Sequence, residues 1–155
     1  MSYTIHATFI QTKLHPGYSI VEMTNFREGT WSENGPEHIL TLSASGSSGI
    51  LRFKSSDDNY FLVSLGVHNY KRWCDIVVDA TPTDTGVAIH PEYYNADSPR
   101  YEMLWKQLPE LDKTTSTGVQ IKVQYYKEED HSLWLTSTQV LTIFEMRGIF
   151  FSRKF

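Results

Sequence analysis

The chain has 155 residues, with 14 Lys and Arg against 18 Asp and Glu for a formal charge of -4, and a single cysteine. That is one domain's worth of chain, long enough to bury a core without staples, and Cys74 alone excludes an internal disulfide, a zinc knuckle and a redox pair. The acidic balance, with no basic block longer than two residues, gives no footprint for a phosphate backbone, so nucleic acid is not an expected partner.

The N-terminal stretch MSYTIHATFIQTK has no charged n-region followed by an apolar run, and no segment approaches the roughly 20 apolar residues of a membrane span. A soluble, cytosolic protein outside the classical secretory route is expected. Within that stretch Tyr3, Ile5, Ala7 and Phe9 share one face and Thr4, His6 and Thr8 the other, which predicts a half-buried strand. Shorter strands are predicted at 18–23, 38–43 and 49–54. Alternation returns at Phe61, Val63, Leu65 and Val67, and again at Val119, Ile121, Val123 and Tyr125, with a further candidate at 132–140. Pro16-Gly17, Asn34-Gly35-Pro36 and the run Ser55 to Asn59 supply turns at the spacing of an antiparallel sandwich. Two segments break the rhythm. Tyr101, Leu104, Trp105 and Leu108 recur at helical spacing behind Ser98 as N-cap and Pro99 as first helical residue, and Tyr70, Trp73, Cys74 and Val77 predict a second helical piece over 70–77.

Most catalytic constellations are missing. SASGSSG at 43–49 does not have the order of a hydrolase elbow and reads as a Gly/Ser turn. Cys74 with His68 could make a nucleophile pair, but Cys74 shares a predicted apolar face with Trp73 and Val77 and reads better as a small buried hydrophobe. The six histidines form no H-x-x-x-H or H-x-H pair, so no metal site and no cofactor is expected. What remains is hydroxyls, glycines, an amide and aromatics, the inventory of a sugar-binding surface: Ser and Asn both donate and accept, glycine lets backbone approach a ring, and aromatics cover its C–H face. Ser45-Gly46 on one turn and His68-Asn69-Tyr70 on another would form such a set, against a purely structural role for both turns.

TWSENGPEHILTLSASGSSGILRF, GVHNYKRWCDIV and EYY, in that order, resemble the fungal fruit-body lectin family of mushroom and boletus lectins, over residues 3 to about 140. The resemblance implies a mainly β fold with short helices: a sandwich of two antiparallel sheets joined by a helix-loop-helix, actinoporin-like. It implies a non-enzymatic lectin that binds glycans and glycoproteins carrying Galβ1-3GalNAc, often with a second site for terminal N-acetylglucosamine, and that assembles as a homodimer or homotetramer. Carried over residue by residue, the galactosyl site falls on Ser45, Gly46, His68 and Asn69. Ser45, the Gly46 N–H and Asn69 would bond an axial O4, with His68 shaping the pocket. The second site falls on Asp75, Ile76, Val78, Arg100 and Leu111, with Val78 where a threonine is usual and Leu111 where a tyrosine is usual, so a weakened site is expected; alternatively Asp75 and Arg100 pair between two helices. The family's glycine-rich loop before the TW pair is shortened here to NFREGTW, which puts Arg27, Glu28 and Gly29 in place of a contacting loop.

Residues 1–140 are thus read as the lectin domain and 141–155 as an apolar extension of unassigned role: an edge strand, an oligomer contact or a disordered tail. Two rival functions are weaker. A membrane-acting toxin of actinoporin type would need an amphipathic N-terminal helix where residues 3–9 alternate as a strand, and a glycosidase would need paired carboxylates. A cytosolic lectin with no glycan in its own compartment suggests defence against fungus-feeding animals.

Overall fold

Tyr3, Ile5 and Ala7 are buried and the residues between them only partly so, which makes the first segment a strand, β1 (Tyr3–Gln11). In the computed structural model, which describes residues 2–12, 17–125 and the backbone of 142–147, the same logic recurs along the chain. β2 (Tyr18–Phe26), β3 (Gly29–Asn34), β4 (Glu37–Leu42), β5 (Ser47–Ser55), β6 (Tyr60–His68) and β7 (Lys71–Ala80) precede a helical connection of α1 (Gly86–Ile89), a 3-10 turn (His90–Tyr94) and α2 (Tyr101–Lys106). β8 (Glu110–Thr114), β9 (Gln120–Tyr125) and β10 (Thr142–Arg147) follow.

The strands form two sheets, one in the order β3-β4-β1-β10-β9-β8 and the other β2-β5-β6-β7. Among the described pairs all are antiparallel except β9 with β10. Tyr3, Ile5, Leu40 and Ile121 of the first sheet meet Phe53, Phe61, Val63 and Cys74 of the second in the inter-sheet core. The second sheet is covered on its other face as well, where Ile50, Leu62, Trp73 and Val77 pack under Ile89, Tyr93 and Leu104 of the helical connection. The mainly β sandwich with a helical connection is therefore as expected.

The strands at 18–23, 38–43, 49–54, 61–67 and 119–125 are present within a few residues, and the candidate at 132–140 lies outside the described residues. Residues 70–77 are not helical: from Lys71 they form β7, paired in register with β6 so that Gly66 faces Trp73 and Leu65 faces Cys74. Trp73 and Cys74 point to opposite faces, one into each apolar cluster. A strand buried on both sides loses its polar alternation and reads as an unbroken apolar run, which is how the helical spacing arose. α2 starts at Tyr101, two residues later than the Pro99 expectation. Arg100 is its N-cap residue, and Ser98 Oγ accepts the Arg100 N–H (3.2 Å) instead of capping the helix. β3 and β8, short edge strands dominated by exposed polar residues, had no sequence signal. Residues 142–147 lie between β1 and β9, inside the sheet and not at its edge. Among the described residues no helix is long and apolar enough to cross a membrane.

The tightest point of the second sheet is Gly66. A Cβ there would stand 2.6 Å from Ser48 Cβ, 2.7 Å from Trp73 Nε1 and 2.8 Å from the Ser47 carbonyl oxygen. Two of those neighbours are backbone or near-backbone atoms of paired strands and cannot swing aside. Gly66→Ala is therefore expected to lower unfolding free energy by about 2 kcal/mol or more, read as a lower urea midpoint at unchanged m-value.

Candidate functional site

Three connections converge at one end of the sandwich. The β2–β3 link (Arg27, Glu28) and the β4–β5 link (Ser43 to Gly46) both cross between the sheets, and the β6–β7 hairpin turns at Asn69 and Tyr70. Gly46 adopts φ +86°, open to glycine at little cost. Asn69 (φ +47°) and Tyr70 (φ +64°) are both left-handed, as a two-residue hairpin loop between the paired His68 and Lys71 requires. Asn suits such a position. Tyr70 stands where glycine is usual, and its strain is held by a bond from its own N–H to Ser45 Oγ (3.0 Å). That bond joins the two turns.

Ser45, Gly46, His68 and Asn69 are thus brought together, with one change in role. The Gly46 N–H donates to the Val67 carbonyl (2.7 Å), so it anchors the turn to β6 and is not offered outward. The sequence could not show this, because the bond depends on how β5 and β6 pair. Ser45 keeps its hydroxyl proton, and the Asn69 side chain makes no bond to a described residue. The His68 ring meets Trp105 edge-on (centroids 4.4 Å apart, 84°), and its carbonyl accepts from Gln107 Nε2 (2.8 Å), which ties the end of α2 to the hairpin. Both His68 ring nitrogens are shielded and have no partner among the described residues. Burial first, and the nearby Arg27 charge second, lower its pKa and favour the neutral ring.

Sequence reasoning placed Trp105 on the buried stripe of a helix, whereas it is 52% exposed beside His68. Its position at the margin of the Tyr101-Leu104-Leu108 stripe was the only signal. Arg27, left-handed at φ +62°, lies over the rings of Phe26 (5.8 Å) and Tyr94 (5.7 Å). Those rings are stacked 4.0 Å apart. Beneath them Ser48 Oγ is bonded to Tyr94 OH (2.7 Å) and His90 Nε2 (2.8 Å). A cleft of about 370 Å³ opens beside Arg27, Glu28, Thr41 and Ser43.

The second residue set gathers only in part. Asp75, buried on β7, accepts from Tyr93 OH (2.8 Å) and pairs with Lys113 Nζ (3.3 Å) and Arg100 Nη1 (3.7 Å). The Asp75–Arg100 pair thus links a strand to the residue before α2, not two helices. The Ile76 side chain is turned into the inter-sheet core, with Val78 and Leu111 packed against the same core. The Ile76 carbonyl accepts from Lys113 Nζ (2.5 Å). Lys113, on β8 two residues from Leu111, was not singled out in the sequence because a lone lysine on a polar edge strand carries no signal.

The sequence profile described as fungal fruit body lectin matches residues 1–137. Boletus edulis lectin is 42% identical over 137 residues, covering 86% of this chain and 95% of that protein. The chain belongs to the fungal fruit body lectin family. Crystal structures of the Xerocomus chrysenteron lectin, wild type and a methionine-substituted form, superpose with TM-scores of 0.75 at 37% and 36% identity, over 93% of this chain and 99% and 98% of theirs. Proteins of this family are carbohydrate-binding lectins and not enzymes.

In this lectin the polar layer beneath the candidate site should set part of its acid stability. Burial pushes the His90 pKa from 6.5 down to about 4. The unfolded chain therefore binds more protons between those values, and stability is complete above pH 6.5 and falls as pH drops toward 4. The full contribution is on the order of 3 kcal/mol. His90→Gln is expected to flatten the wild-type decline between pH 6.5 and 5, measured as urea midpoints across that range.

Proposed function

We propose that the lectin binds galactosyl glycans of the Galβ1-3GalNAc type at the end of the sandwich, through Ser45, His68 and Asn69 on a turn shaped by Gly46. The observation that carries this reading is the Tyr70 N–H to Ser45 Oγ bond, which fixes two hydroxyl- and amide-bearing turns edge to edge. Ser45 retains a donor proton and Asn69 a free amide, while the shielded His68 ring backs the turn that carries Asn69. An axial sugar hydroxyl between Ser45 and Asn69 would both donate and accept. Its equatorial epimer would leave those groups unpaired at a cost of about 1–3 kcal/mol. His68, neutral and wedged against Trp105, orients the pocket and moves no proton. Single pockets of this shallow kind gain useful avidity when several are displayed together, which fits a homodimer or homotetramer. A defence role against fungus-feeding animals is part of the same proposal and rests on the family resemblance.

Asn69→Gly is the cleanest test, because glycine accepts φ +47° without strain and removes only the amide. On a glycan array the wild type is expected to bind Galβ1-3GalNAc and to reject the glucose epimer, and the variant to lose that signal with its unfolding midpoint retained. Equal binding by both proteins would overturn the reading.

The second site is read as closed. Lys113 Nζ occupies an Asp75 oxygen and the Ile76 carbonyl, the two neighbouring residues that the resemblance offers to N-acetylglucosamine. Titrated with millimolar N-acetylglucosamine, the wild type is expected to show no saturable NMR shifts, whereas Lys113→Val should show weak saturable shifts near Asp75 and Arg100. Saturable shifts there in the wild type would refute the closure.

A further inference from the structure

We propose that Arg27 makes the galactosyl site selective for glycans carrying an anionic substituent, a sulfate ester or a sialic acid carboxylate. The inference rests on the galactosyl reading above and adds the charge of the ligand to it.

Arg27 Nη1 lies 3.5 Å from where a Cβ on Gly46 would stand, so the cation sits on the rim of the Ser45-Gly46 turn. Three features hold it there. Its left-handed backbone at the β2–β3 crossing aims the side chain back over the stacked Phe26 and Tyr94 rings. The Tyr94 hydroxyl is itself fixed by buried Ser48, which also bonds His90. The guanidinium therefore loses little freedom when it engages a ligand, which removes part of the usual cost of ordering a long side chain.

The charge is also available. Among the described residues no carboxylate lies within ion-pair distance of Arg27, and the adjacent Glu28 turns its carboxylate to the Ser43 hydroxyl (2.8 Å). The Arg27 charge reaches the site itself, since it contributes to the lowered pKa of His68. A planar guanidinium offers paired donors that match two oxygens of a carboxylate or sulfate, whereas a neutral disaccharide leaves the charge unused. The chain as a whole carries a charge of -4, so an anionic glycan would meet net repulsion elsewhere on the surface. Local attraction at Arg27 would then decide where and whether it docks.

The test is calorimetric titration of neutral Galβ1-3GalNAc, its 3-O-sulfated galactose form and its α2-3-sialylated form into the wild type, Arg27→Gln and Arg27→Lys. The readout is the affinity ratio of each anionic form to the neutral parent, because an Arg27 with only a structural role would weaken all three ligands together. In the wild type at least one anionic form is expected to bind about tenfold tighter. That ratio should shrink toward one in about 1 M salt, where the screening length is roughly 3 Å. It should fall to about one in Arg27→Gln and be partly kept in Arg27→Lys. An advantage confined to the sulfated or to the sialylated form identifies which anion the site takes. Neutral binding with no anionic advantage, or an advantage that persists in Arg27→Gln, would overturn this inference alone; no binding of any of the three would overturn the galactosyl reading together with it.

Discussion

Burial of the β5-β6-β7 sheet on both faces is the constraint from which the rest of the molecule follows. Residues of these strands alternate between the inter-sheet core and the helical layer, so neither face has water to satisfy a polar group. The polar side chains that nevertheless sit on the helical face, Ser48, Ser64 and Asp75, are each met by a group from the 3-10 turn. Tyr93 OH donates to Asp75 and accepts from Ser64, while Tyr94 and His90 share Ser48. Apolar packing alone would let the short helical segments slide. These bonds fix their position, because a displaced turn would leave several buried groups unpaired at once.

That fixed layer is what makes the end of the sandwich a defined surface. Gln107, just past α2, holds the His68 carbonyl, and the 3-10 turn supplies the ring on which Phe26 and Arg27 lie. The candidate site is assembled from connections between elements and not from any one element. Its rigidity is inherited from the polar network behind it. The Gly46 N–H and the Ile76 carbonyl follow the same rule of polar satisfaction: both belong to residues expected at a ligand, and each is met within the fold, by Val67 and by Lys113.

The most legible parts of the sequence were the strands with one wet face. β1 and β9 show their alternation directly, because water on one side selects polar residues there, while β6, buried on both faces, was read from the recurrence of Phe61, Val63, Leu65 and Val67 alone. The turns at Asn34-Gly35-Pro36 and Ser55 to Asn59 are encoded in local backbone preferences. β7 was not legible as a strand, because Trp73 through Val77 are buried whichever way they point. β3 and β8 failed for the opposite reason: TWSEN and ELDKT are mostly exposed, and their strand character comes from pairing with β4 and β9. The site residues were named through the family's motifs. Their connections were not visible, since Ser45 with Tyr70, Arg27 with Gly46 and Lys113 with Asp75 are contacts between residues far apart along the chain.

The strain at Tyr70 has a physical consequence for recognition. A glycine there would make the hairpin turn without steric cost, but it would widen the conformations open to the loop and loosen Asn69 with it. A bulky residue in the left-handed region persists only if its surroundings over-determine it, and here the Ser45 hydroxyl supplies that restraint through the Tyr70 N–H. Removing Ser45 therefore acts twice, deleting the sugar contact proposed for it and releasing the turn that presents Asn69. The two turns form one unit, in which the bond that holds the strained backbone in place is also the bond that sets the spacing of Ser45 and Asn69.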